Sequence, residues 1–145
     1  MAKKVYKSIT ELVGNTPLVE LTNYEKKLNL KAKIFAKLEY FNPESSVKDT
    51  IVTGIHNFTD VVKERVPEVL NREYIDQVVT IEPAKAVETT RLLAKTDGIL
   101  IGVSSGAALS VATDFAKKDE NAGKTIVVIL PDTGLRYLST NLFSE

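Results

Sequence analysis

Cysteine is absent from the 145 residues. That excludes disulfides, zinc-thiolate sites and thiol nucleophiles together. Histidine occurs once, at His56, so a histidine-rich metal site is excluded and no metal is expected. Charge of one sign is missing too: 19 Lys+Arg balance 19 Asp+Glu. Neither nucleic acid nor an anionic membrane is therefore drawn by long-range attraction, and no basic run is interleaved with aromatics. No apolar stretch is long enough to span a bilayer, and "MAKKVYKS" leads into no signal-peptide core. The cytoplasm is the expected compartment. Low-complexity tracts and internal repeats are also lacking. What remains is an ordinary globular balance, 43% hydrophobic and 26% charged, at a length that closes one core. A single domain over residues 1–145 is expected.

The apolar pattern alternates between strand and helix. "AKIFAKLEY" (Ala32 to Tyr40) is short, rich in strand formers and ends at the Asn42-Pro43 turn signal. From Ser46 onward Val47, Ile51, Ile55, Phe58 and Val62 recur at helical spacing, with Ser45 or Ser46 as N-cap, Gly54 as a costly interior glycine and Pro67 past the end. "QVVTI" (Gln77 to Ile81) reads as a strand, and Pro83 opens a helix whose inward stripe is Ala86, Val87, Thr90, Leu93 and Ala94, ending at Asp97-Gly98. "ILIGV" (Ile99 to Val103) is a further strand candidate. The helix after it turns Ala108, Val111, Ala112, Phe115 and Ala116 inward and ends in Lys117 and Lys118. "TIVVIL" (Thr125 to Leu130) is expected to be a strand buried on both faces. Strands alternating with helices predict an α/β fold with a mostly parallel sheet flanked by helices.

One lysine stands out. Lys48, in "NPESSVKDTI", falls in the first turn of the helix expected from Ser46. The positive end of a helix dipole disfavours an ammonium there, and a partly deprotonated amine is what carbonyl condensation needs. On position alone it is equally an ordinary solvated cation.

Four stretches change its weight: "VGNTPLVEL" (Val13 to Leu21), "AKLEYFNPESSVKD" (Ala36 to Asp49), "GVSSGAA" (Gly102 to Ala108) and "VVILPDTGLRYLST" (Val127 to Thr140). In this order they resemble cysteine synthase (O-acetylserine sulfhydrylase), of the β-family, or fold type II, of pyridoxal-phosphate enzymes. The resemblance runs from Tyr6 to Phe143 and is loosest from Thr50 to Arg65. It implies a reduced form of the fold type II architecture and β-replacement of O-acetylserine with sulfide to give cysteine. It implies that Lys48 carries pyridoxal 5'-phosphate in Schiff-base linkage and acts as acid/base at the substrate α-carbon. It implies further that Ser104 hydrogen-bonds the pyridine nitrogen of the cofactor. A serine hydroxyl there makes the ring a moderate electron sink. Its place where a strand candidate gives way to a helix is also the usual ligand edge of a parallel sheet.

The family's chain is considerably longer. Its threonine-serine-glycine-asparagine loop, which grips the substrate carboxylate, and its glycine-threonine-rich phosphate loop have no counterpart here. The seven glycines (Gly14, Gly54, Gly98, Gly102, Gly106, Gly123 and Gly134) form no cluster that could replace the phosphate cradle. Glu44, Ser45, Thr50 and Leu135 depart from the residues usual at their positions. Residues 1–50 match the family's N-terminal part and 66–145 its C-terminal part, so an internal deletion is expected, with 51–65 as a splice helix. Activity is accordingly expected to be weak or lost. The alternatives are a remnant that still binds the cofactor without turnover and a non-catalytic interaction module. Exposed apolar surface left by the deletion predicts self-association or association with an intact homologue. The family also docks the tail of serine acetyltransferase, in a cleft built partly from the missing block.

Other patterns have bland readings beside sharp ones. Asp132-Thr133-Gly134 matches the aspartic-protease triplet, but is equally a turn after a buried strand. His56 has no nucleophile near it in sequence. Asn57-Phe58-Thr59 fits a glycosylation sequon without a secretory signal to give it meaning.

Overall fold

A computed structural model describes residues 7–42 and 72–143. Lys48, His56, the sequon at 57–59 and the 51–65 splice lie outside these residues. Strand β1 (Leu18–Glu20) is followed by helix α1 (Thr22–Leu28) and strand β2 (Lys33–Leu38). Helices α2 (Pro83–Asp97) and α3 (Val103–Lys117) precede strand β3 (Thr125–Leu130). The sheet order is β1-β2-β3: β1 runs antiparallel to β2, and β2 pairs in parallel with β3 from Lys33↔Thr125 to Leu38↔Leu130. The α/β class expected from the alternation is the class observed.

The helices lie on one face of this sheet. Ile34, Ala36 and Leu38 of β2 and Val128 and Leu130 of β3 point to that face and meet Leu21, Tyr24, Leu93, Ile101, Leu109, Ala112 and Ala116. Each fully buried Leu or Ile here contributes about 1.5–3 kcal/mol relative to exposure. The opposite face carries Leu18, Phe35, Lys37, Val127 and Ile129, and there Val127 is 60% and Ile129 52% exposed. This corrects the expectation that Thr125 to Leu130 is buried on both faces. The run is apolar on both sides, yet only the face of Ile126, Val128 and Leu130 is packed against the core.

Three other expectations are corrected. Gln77 to Ile81 forms no strand: Val78 is 71% exposed, and no described strand runs beside the segment. β-branched residues favour a strand only where there is a ladder to join. Ile99 to Val103 is not a strand either. Val103 already belongs to α3, and Ile101 makes one isolated antiparallel bridge to Thr133. The buried face of α3 is also rotated from the expected stripe. Ser105, Leu109, Ala112 and Ala116 are buried together with Gly106, Ser110 and Thr113, while Ala108, Val111 and Phe115 are only half-buried. The cause is a second neighbour: α3 packs on α2 as well as on the sheet.

Small and hydroxylated residues let α2 and α3 approach closely. A Cβ at Gly106 would overlap the Thr90 hydroxyl and the Ala86 carbonyl. The hydroxyls at this contact are satisfied within their own helices. Thr90 Oγ1 donates to Ala86 O at 2.9 Å and Thr113 Oγ1 to Leu109 O at 2.7 Å. With its own proton committed, Thr113 Oγ1 accepts from the Tyr24 phenol at 2.9 Å.

Helix ends follow physical signals. Gly98 closes α2 with φ of 69°, and Asn29 closes α1 in the same left-handed region with φ of 50°. The start of α1 has no local cap, since its N-cap residue is Leu21. The Asp97 carboxylate takes that part, accepting from the Asn23 N–H at 3.4 Å and the Tyr24 N–H at 3.0 Å. On α2, Arg91 donates to the carbonyls of Leu142 (2.6 Å) and Asn141 (2.7 Å), which seats the buried Leu142.

Two predictions test this packing. Gly106→Ala forces α2 and α3 apart, and denaturant unfolding should register a loss of about 1–3 kcal/mol. Burial pushes the Tyr24 phenol above its ordinary value near 10.0. The folded state then holds that proton longer than the unfolded state, so this stability is present below pH 10 and is lost as pH rises through the folded value. Tyr40, raised by burial, and Lys33, raised by its hydrogen bond to Glu20, act with the same sign. Alkaline denaturation of Tyr24→Phe should therefore show a shallower fall above pH 10 than the unsubstituted chain. At neutral pH the variant should be about 0.5–1.5 kcal/mol less stable, from the lost bond to Thr113.

Candidate functional site

β2 and β3 are parallel, so their carboxyl ends share one edge of the sheet, and the N-terminus of α3 opens there. The turn after β3 is held against that helix. The Ser105 N–H donates to Asp132 Oδ1 at 3.0 Å, and the Ser105 hydroxyl bonds the same carboxylate oxygen. The Asp132 N–H donates back to Ser105 Oγ at 3.2 Å. Gly102, the N-cap residue, has no side chain to do this, and a Cβ there would overlap the Asp132 carboxylate. Two backbone bonds complete the junction, Gly102 N–H to Asp132 O at 3.3 Å and Gly134 N–H to Leu100 O at 3.0 Å. The Asp132-Thr133-Gly134 triplet is thus the turn of the bland reading, with its carboxylate committed to a helix N-terminus.

Ser104 lies in the first turn of α3, half-buried, one residue before this clamp. Among the described residues its hydroxyl has no hydrogen-bond partner. Lys48, the other site residue expected from sequence, lies outside the described residues. The described residues before it stop at Asn42, just past the carboxyl end of β2, on the same edge of the sheet as the start of α3.

A second polar cluster ties that end down. Glu39 is 7% exposed. Its carboxylate accepts from the Thr16 hydroxyl (2.8 Å) and from Asn42 Nδ2 (3.0 Å), with the Lys37 ammonium at 4.0 Å. Lys37 also donates to Thr16 O at 2.7 Å, and the Gly14 N–H donates to Asn42 Oδ1 at 3.0 Å. Among the described residues, each contact on the carboxylate is a hydrogen-bond donor or a cation. The network joins "VGNTPLVEL" to "AKLEYFN". Neither Glu39 nor Asp132 was singled out as a site residue from sequence. For Glu39 the available signal was an acidic residue directly after strand β2, three residues before the Asn42-Pro43 turn signal.

Pyridoxal phosphate presents a ring nitrogen, a carbonyl carbon and a phosphate. The described residues fit the first: an unpartnered hydroxyl stands at the ligand edge of the sheet. They do not fit the phosphate. The N-terminus of α3, the usual seat for an anion, is already held by the Asp132 carboxylate. The glycines with positive φ, Gly14, Gly98 and Gly123, sit at three separate turns and build no common nest. No cluster of three metal-ligating side chains occurs among the described residues, and no described helix is long and apolar enough to cross a membrane.

Comparisons with known proteins give the family and the fold. Residues 49–132 match the model of a family described as pyridoxal-phosphate dependent enzyme. The chain is 38% identical over 131 residues to the cysteine synthase of Buchnera aphidicola subsp. Acyrthosiphon pisum (strain APS), covering 86% of this chain and 41% of that protein. It is 38% identical over 97 residues to cysteine synthase A of Escherichia coli (strain K12), covering 67% of this chain and 30% of that one. These shares leave it spanning well under half the length of either relative. Among solved structures, the cysteine synthase (OASS) of Entamoeba histolytica superposes with a TM-score of 0.80 at 19% identity, over 99% of this chain and 92% of that chain, a likeness of fold.

The clamp generates a prediction. Asp132→Ala removes the cap of α3 and leaves the Ser105 N–H without its acceptor. Urea unfolding should show a loss of about 1–2 kcal/mol.

Proposed function

Because the chain belongs to the pyridoxal-phosphate dependent enzyme family, we propose that it is a cysteine synthase-like protein that keeps the amine and the hydroxyl of the cofactor site, Lys48 and Ser104. On this reading an interior block of the family's chain is absent, and cysteine formation from O-acetylserine and sulfide is weak or lost. The observation that carries it is the Ser104 hydroxyl, unpartnered among the described residues and presented by a helix whose N-terminus is already neutralised by Asp132. Among the described residues the ring end of the cofactor has a candidate partner in Ser104, and the phosphate end has none.

When bound, the cofactor supplies an electron sink for elimination and addition at the substrate β-carbon. Ser104 would hold the ring nitrogen by a hydrogen bond from the first turn of α3. Lys48 supplies the amine that holds the carbonyl carbon and moves the proton at the substrate α-carbon. Five residues lie between Asn42 and Lys48, so the chain can carry the amine no further than roughly 20 Å of backbone from Asn42, just past the carboxyl end of β2. The Glu39 network fixes the start of that reach. The substrate is a small amino acid, O-acetylserine by kinship. The serine acetyltransferase tail is not carried over to this chain, because the family's cleft for it is built partly from the block absent on this reading.

A second reading, a non-catalytic interaction module, is favoured by the uncovered sheet face with Val127 and Ile129 exposed. Its partners are a second copy or an intact homologue.

Titration with pyridoxal phosphate, followed by borohydride reduction and mass mapping, separates the readings. The expected outcome is weak saturable binding with the label on Lys48, lost in Lys48→Ala. Ser104→Ala should shift the absorption band and weaken binding by about tenfold, one hydrogen bond's worth. Label scattered over many lysines would leave the cofactor reading without support.

A further inference from the structure

Two parts of the described chain are built for strand pairing and do not pair. The first is the outer edge of β3. Among the described residues its one strand neighbour is β2, and none of them pairs with the other side of Thr125–Leu130. The usual protections of an edge strand are missing. Its six residues, TIVVIL, hold no charge and no proline, and Val127 and Ile129 stand exposed beside the edge. The opposite edge, β1, is only three residues long and carries Glu20.

The second is Gln77 to Ile81. Its sequence, QVVTI, is that of a strand, yet it has no regular structure, and Val78 and Val79 are 71% and 42% exposed. Pro83 begins α2 one residue after Glu82, and α2 is packed on α3, so the segment is tethered close to a fixed element. Within one chain it has not joined β3, although both are present.

We infer that this chain forms a homodimer by reciprocal strand addition, in which Gln77–Ile81 of each copy pairs onto the free β3 edge of the other. Such an exchange is closed and two-fold: each copy gives one strand and accepts one, so the reciprocal pairing ends at two copies. Neither partner segment carries a charge, so no like charges face each other across the new ladder. The flanks are complementary at one end. Lys124, exposed at the head of β3, meets Asp76 if the added strand is parallel and Glu82 if it is antiparallel. At the other end, the Asp132 carboxylate is turned onto α3, away from an incoming acidic residue. The inference stands on the fold and not on cofactor binding, so it survives or fails independently of the titration above.

Sedimentation velocity over a range of concentrations tests the dimer, and the absence of native cysteine makes covalent mapping clean. The full chain should show a monomer–dimer equilibrium. Val79→Pro, in an exposed segment without regular structure, should leave the circular dichroism unchanged and weaken the dimer by about tenfold or more, since proline removes a ladder donor. Mixed Val79→Cys and Val127→Cys chains, treated with a short bismaleimide, should yield a cross-linked heterodimer. Three results would overturn the inference: a monomer at every concentration, a dimer indifferent to Val79→Pro, or cross-linking of the Val79→Cys/Val127→Cys double variant only within single chains.

Discussion

The carboxylate of Asp132 on the N-terminus of α3 is the joint around which this fold closes. It binds the end of β3 to the start of α3, makes Gly102 the only side chain-free fit at the N-cap, and fixes the turn whose Gly134 reaches back to Leu100. Helix direction, the strand's exit and the position of Ser104 are all set at this one contact. It also decides what the edge of the sheet can bind. A helix N-terminus that already faces an internal anion has little left for a phosphate, while the hydroxyl one residue earlier stays available.

The same device recurs at α1. Neither Leu21 nor Gly102 can cap its own helix, and in both cases a distant aspartate supplies the acceptor: Asp97 for α1, Asp132 for α3. Each cap ties a helix start to the end of another element, so local helix formation is coupled to tertiary closure. The Glu39 cluster does for the amino-terminal segments what the aspartates do for the helices. It gathers Gly14, Thr16, Lys37 and Asn42 around one buried carboxylate and so welds two separate stretches of sequence.

This explains what could be read in advance. α2 and α3 were legible because Pro83, Gly98 and a 3.6-residue period are local signals. β2 and β3 were legible as short runs rich in strand formers. α1 was not foreseen, because its cap lies 73 and 74 residues away in sequence. Gln77 to Ile81 carried a sound strand signal and still failed, because pairing is a property of two segments and composition reports on one. The double-sided burial expected of β3 failed similarly: apolar residues record what a strand tolerates, and neighbours decide what is covered. At the site, Ser104 was reachable through resemblance. Asp132 looked like a turn residue, since nothing in its flanks says which helix its side chain will meet.

The tight crossing of α2 and α3 also has a mechanical side. Arg91 on α2 grips the backbone at Asn141 and Leu142. Its neighbour Thr90 lies against Gly106, and the Thr90 hydroxyl comes within 3.4 Å of Gly102 O. The carboxyl-terminal residues, α2 and the first turn of α3, which presents Ser104, are therefore linked in series, with no slack at the glycine. A pull on the tail is transmitted to the hydroxyl at the sheet edge as a rigid lever transmits a load.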